Sequence, residues 1–318
     1  MSKRQTVLDW TQQGLLRLEA LPSALKSTGL LPNQHDWLQF LDRILLGLGT
    51  LLLISGMVFF VAANWNALGH FGHFALTEAL LLLSILLAWH LGIESLAGQS
   101  AAIASALLVG VLLALIGQTY QTGADSWELF VPWTLLILPW VLIVRNSILW
   151  LIWLALLNLS IITYVDIYHS PLRTLFGSDE SLWLLFIVNT LATALWQLLA
   201  HSAHHQWGLR LLATASGLFI TILALSAVLD NKPAPWAVPV WLLWLTGIYW
   251  MYRRQTQDLY ILTGAVLSLI TILSAAIGRN LLMDFNAGTL FLMSLVVLGL
   301  SAAGGWWLRQ ILKEIHHS

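Results

Sequence analysis

The sequence predicts an all-α, polytopic integral membrane bundle of about ten transmembrane helices, with both termini cytoplasmic. Three observations predict it. Only 9% of the 318 residues are charged and 58% are hydrophobic, whereas roughly a quarter of the residues in soluble domains are charged. The hydrophobic residues come in runs of about 20, the length that crosses a bilayer as a helix, separated by short polar breaks. Trp residues gather near the ends of those runs, where the two aromatic belts of a membrane protein form.

Composition also excludes several classes. The net charge of −1 gives no electrostatic footprint for nucleic acid. The absence of cysteine removes disulfides and thiolate metal sites. No nucleophile elbow, phosphate-binding glycine loop or zinc-protease helix is present. No cofactor and no metal is expected.

Residues 1–40 form a polar, amphipathic arm without the apolar core or cleavage site of a signal peptide. Val7, Leu8, Leu15 and Leu18 share one helical face, and Pro22 and Pro32 divide the arm. Asn33 is placed to cap a new helix with Asp36 in its first turn. The plain reading is a helix lying on the bilayer; the alternative is a docking arm. Ten spans follow, at 41–63, 72–92, 97–118, 129–145, 147–167, 180–201, 208–229, 236–252, 258–278 and 287–308. The fourth contains Pro132 and Pro139, the eighth contains Pro239, and both are short, so kinks or partial spans fit there. The organisation is thus an arm (1–40), four spans (41–145), six further spans (146–308) and a short tail (309–318). No internal repeat is visible by eye; two five-helix halves would be compatible with the count.

Eleven of the 14 Lys and Arg residues fall on the side of the N-terminus, and Arg173, Lys232 and Arg279 fall on the other. Positive residues stay inside, which orients the bundle. Small residues recur on single faces: Gly49, Gly56 and Ala63; Ala213, Gly217 and Ala224; Gly299 and Ala303. They allow close helix packing in lipid.

The polar and aromatic stretch Gly117–Trp133, GQTYQTGADSWELFVPW, carries more chemistry than a turn needs. Gln118, Tyr120, Gln121, Asp125, Trp127 and Glu128 are its candidate binding residues, joined by Asn64, Trp65 and Asn66 after the first span. Short connections keep neighbouring loops together, so these groups are expected to meet on the outer side. Glu78 is read as the one carboxylate well inside a span, about 9 Å below the helix end. Asn158 and Asn189 lie near mid-depth, and with Glu78 they are the candidate proton or polar path. The bland readings are a carboxylate reaching water and two asparagines bonded across helices. His201, His204 and His205 read as a solvated loop, and His70 and His73 with Asp125 and Glu128 as a weak metal constellation.

Three segments resemble the bacterial predicted membrane proteins grouped as domain of unknown function 2157. They are WTQQGLL at Trp10 to Leu16, FFVAANW at Phe59 to Trp65, and the Gly117–Trp133 stretch. The likeness covers about the first 145 residues. It implies a multi-pass protein of the bacterial inner membrane with no assigned activity and no established catalytic residues. It also implies, as partner, a membrane protein bearing a GDYxxLxY motif.

Three functional readings follow. The first is a non-enzymatic membrane component presenting Asn64–Asn66 and Gln118–Glu128 to a partner protein or to envelope lipid or glycan. The second is a secondary transporter, proton-coupled through Glu78, with Asn158 and Asn189 on its path. The third is a membrane enzyme acting on a lipid-linked substrate.

Overall fold

The computed structural model describes residues 10–11, 18–20, 23, 25, 34–63, 65–120, 123, 125–168, 176–199, 206–229, 236–255, 258–281 and 287–317. Among them there is no strand. The long helices are α1 (Gln34–Ala63), α2 (Trp65–Leu91), α3 (Leu96–Tyr120), α4 (Ser126–Val144), α5 (Ser147–Ile167), α6 (Glu180–Leu199), α7 (Gln206–Leu229), α8 (Ala237–Trp250), α9 (Leu259–Leu281) and α10 (Ala287–His317). Each matches one expected apolar run in order. Most of the N-terminal arm, Asn33 included, lies outside the described residues; Asp36 sits in the first turn of α1 as expected.

Among the described residues, eight segments are long and apolar enough to cross a membrane: Leu68–Leu91, Leu96–Tyr120, Ser126–Val144, Ser147–Ile167, Gly177–Leu198, Gln206–Leu229, Leu259–Arg279 and Gly288–Glu314. The expected eighth span falls short. Helix α8 has 14 residues, roughly 21 Å against a hydrocarbon core of about 30 Å. It runs on into a π-helical turn at Met251–Gln255. The fourth span keeps its full 19 residues with Pro132 and Pro139 inside the helix. Helix α2 starts earlier than expected and is broken at Gly69, whose φ of 63° belongs to a residue without Cβ.

The chain divides into two units, Met1–His73 and Phe74–Ser318. In the first, α1 exposes Trp37, Leu41, Leu45, Leu52 and Phe59, and a Cβ at Gly49 or Gly56 would meet nothing. In the second, one apolar cluster joins α2 to α5 through Ala88, Ala106, Ile137, Val141 and Leu149. Two further clusters join α6 to α10, centred on Trp183, Ile220, Leu223 and Trp241 and on Tyr252, Leu262 and Ile311. Small residues make the closest approaches. A Cβ at Gly110 would sit 2.2 Å from the Trp133 ring, one at Gly217 2.9 Å from Trp244, and one at Gly304 2.7 Å from Val266. In α10 the close contact is thus at Gly304; Gly299 faces open space. Trp183 is 4% exposed and stacked on Phe176, a core residue.

Two similar sets of contacts between helices, which the sequence did not reveal, stand in the described residues. In α3–α5, Asn146 caps α5 by accepting from the Ile148 N–H and donates to Gln99 in the first turn of α3, 47 residues away. In α7–α9, Asp258 caps α9 by accepting from the Tyr260 N–H and pairs with Arg210 near the start of α7, 48 residues away. The Trp133 indole donates from α4 to the Ala106 carbonyl of α3, 27 residues away, over Gly110. The Trp244 indole donates from α8 to the Ser216 hydroxyl of α7, 28 residues away, over Gly217. One set of clips is built twice. With α6 between the triplets the period is four helices, an even number, so the copies would insert the same way round and not inverted.

Candidate functional site

The end of α3 and the start of α4 carry the described part of the polar stretch. Gln118 and Tyr120 lie in the last turn of α3, both exposed, with Tyr120 tilted against Phe74 at 6.4 Å. Gly123 takes a positive φ of 62° and turns the chain. Asp125 stands at the N-cap position of α4 without making a side-chain cap, and Glu128 lies in the first turn. Both carboxylates are exposed. A carboxylate at a helix N-terminus is favoured by the dipole even without a cap bond.

Trp127 behaves differently from its neighbours. It is half-buried and meets Tyr164 and Tyr168 of the α5 end edge-on, with ring centroids 5.5 and 5.7 Å apart. The tyrosines contact each other at 5.4 Å. The indole N–H is buried and has no hydrogen-bond partner among the described residues. Sequence reasoning missed Tyr164 and Tyr168; their i, i+4 spacing near a helix end was the available signal. The described surface is therefore an aromatic wedge flanked by exposed Gln118, Tyr120, Asp125 and Glu128.

Asn64 and Gln121 lie outside the described residues, and Trp65 and Asn66 are described only as the opening of α2. His201, His204 and His205 are also outside. His70 is exposed and His73 buried. Among the described residues no group of three or more His, Cys, Asp or Glu side chains is placed to hold a metal ion.

The candidate path separates into two parts. Asn158 of α5 and Asn189 of α6 hydrogen-bond to each other in both directions, at 3.3 and 2.8 Å. Asn189 also donates to the Leu185 carbonyl and is 1% exposed. Glu78 is exposed on α2. Because the span begins at Leu68, Glu78 lies roughly 15 Å along it, deeper than the sequence placed it. A buried carboxylate stands elsewhere: Glu180, 2% exposed in the first turn of α6.

Long apolar helices, aromatic helix ends and hydrogen-bonded clips between spans define the class: a multi-pass helical membrane protein. In the first part of the chain, residues 8–150 match the family model DUF2157, described as a predicted membrane protein. All three resembling segments fall in that range, which ends in the first turn of α5. No curated protein and no solved structure matches the chain.

Proposed function

We propose that the chain is a non-enzymatic component of a bacterial inner membrane that holds a partner membrane protein at the α3–α4 end, on the periplasmic side. The observation that carries this is the Trp127–Tyr164–Tyr168 wedge with exposed Tyr120 and exposed carboxylates around it. Rigid aromatic anchors ringed by polar groups suit the centre of a protein interface. A GDYxxLxY-bearing membrane protein is the candidate, and an envelope lipid or glycan is the alternative ligand of the same surface.

No observation favours the transport reading over this one. The two asparagines satisfy each other, and Glu78 is exposed on another helix, α2. A carboxylate exposed at that depth is costly beside lipid, and a polar group on a partner helix would offset the cost.

Site-specific photocrosslinking in the native membrane tests the proposal. A photoreactive residue at position 118 or 120 should trap one protein of defined mass, and the same residue at the exposed position 83 on α2 should trap none. Equal labelling from both positions would remove the proposal.

A further inference from the structure

We infer that the α7–α9 groove is a binding site for one anionic phospholipid, its phosphate held by Arg210 and one acyl chain lying along the groove. The inference is independent of the α3–α4 surface.

The groove has a volume of about 430 Å³ and runs between α7 and α9, with Gly217, Gly264 and Thr271 among its lining. That is the size of a small-molecule pocket, and it is narrow beside a helix of 10–12 Å diameter. Exposed Leu218 and Leu267 form its rim, so it opens on the outer surface of the bundle. The lining hydroxyls are already bonded: Thr221 to Ser268 at 2.6 Å, and Thr214 to Tyr260 at 3.2 Å. The groove therefore offers an apolar occupant no unsatisfied polar wall.

Its mouth is different. Arg210 lies one turn before Thr214, with its guanidinium 5.6 Å from the centroid of the Tyr260 ring. It is fixed through Nε alone, 2.9 Å from Asp258 Oδ2. Among the described residues neither terminal NH₂ group makes a hydrogen bond, and the side chain is 42% exposed. Two parallel N–H groups on a fixed guanidinium match a phosphate. The mouth also lies at the N-terminal ends of α7 and α9, where helix dipoles favour an anion.

The corresponding clip in the first triplet, Gln99 to Asn146, does the same capping and bridging with neutral amides. The charged version supplies something that the amide version lacks.

The full-length protein, reconstituted in phosphatidylcholine nanodiscs with graded phosphatidylglycerol, is released and weighed by native mass spectrometry. One phosphatidylglycerol should be retained per chain in preference to phosphatidylcholine. The double variant Arg210→Gln/Asp258→Asn rebuilds the amide clip and keeps helicity, and should lower the preference roughly tenfold. Gly264→Leu, whose added Cβ meets nothing, should expel the lipid without changing the melting temperature. Arg279→Gln, at the other end of α9, should change nothing. The inference falls if the double variant keeps the preference, or if Gly264→Leu still retains one phosphatidylglycerol. It falls equally if inorganic phosphate alone displaces the lipid, or if the groove proves to be a contact between two copies that Gly264→Leu separates.

Discussion

The carboxamides of Asn158 and Asn189 face each other across α5 and α6, each donating to the other, at 3.3 and 2.8 Å. The pair bridges the four-helix cluster α2–α5 and the cluster that begins with α6. Inside an apolar bundle it is a fastener: each amide satisfies a group that lipid could not.

Asn189→Ala should therefore destabilise the protein by about 1–2 kcal/mol, because the Asn158 carboxamide loses its partner. Replacing both asparagines by leucine should recover part of that loss. Equilibrium unfolding in mixed micelles measures both. A double variant worse than the sum of the singles would show that the amides have another ligand.

Gly110→Ala should cost roughly 1–3 kcal/mol or more, since the new methyl would lie 2.2 Å from the Trp133 ring, which is pinned by its bond to the Ala106 carbonyl. Gly49→Ala, with nothing within 4 Å, should be neutral or stabilise α1 by up to about 1 kcal/mol. Thermal unfolding of the two variants side by side gives the comparison.

Arg145 ends α4 in the left-handed region, with φ 52° and ψ 31°, and its N–H closes on the Val141 carbonyl. Arg145→Gly should stabilise the chain by about 1 kcal/mol, because glycine takes that conformation without the Cβ penalty. A loss of stability would mean that the guanidinium makes a compensating contact.

Trp127→Phe should leave stability within about 0.5 kcal/mol of the native protein, since it keeps a ring against Tyr164 and Tyr168 and removes an N–H with no partner. Trp127→Ala should cost roughly 2–3 kcal/mol.

The helices were legible because continuous apolar runs state their own length; each of the ten runs lies in a helix, but α1 and α2 start about seven residues earlier and α10 ends about nine later. The facing of each helix was not legible. In a soluble protein the polar stripe reveals the outer face, but here almost every face is apolar, so hydrophobicity cannot tell a core residue from a lipid-facing one. Trp183 shows the consequence: at a helix end it reads as an interfacial anchor, and it is a core residue. The repeat escaped notice because it lives in paired contacts, Gln99 with Asn146 and Arg210 with Asp258, whose residue types differ between copies. Of the candidate surface, Gln118, Tyr120, Asp125 and Glu128 are exposed. Trp127 was expected to stack on a ligand and is packed on two tyrosines that only the fold brings to it.

The most direct test is native mass spectrometry of the protein extracted gently from its own membrane, beside the Tyr120→Ala/Asp125→Ala variant. The account predicts a stoichiometric second protein on the native chain and its loss from the variant, with the variant's melting temperature unchanged. A native chain that carries no second protein, or a partner that stays on the variant, would contradict it.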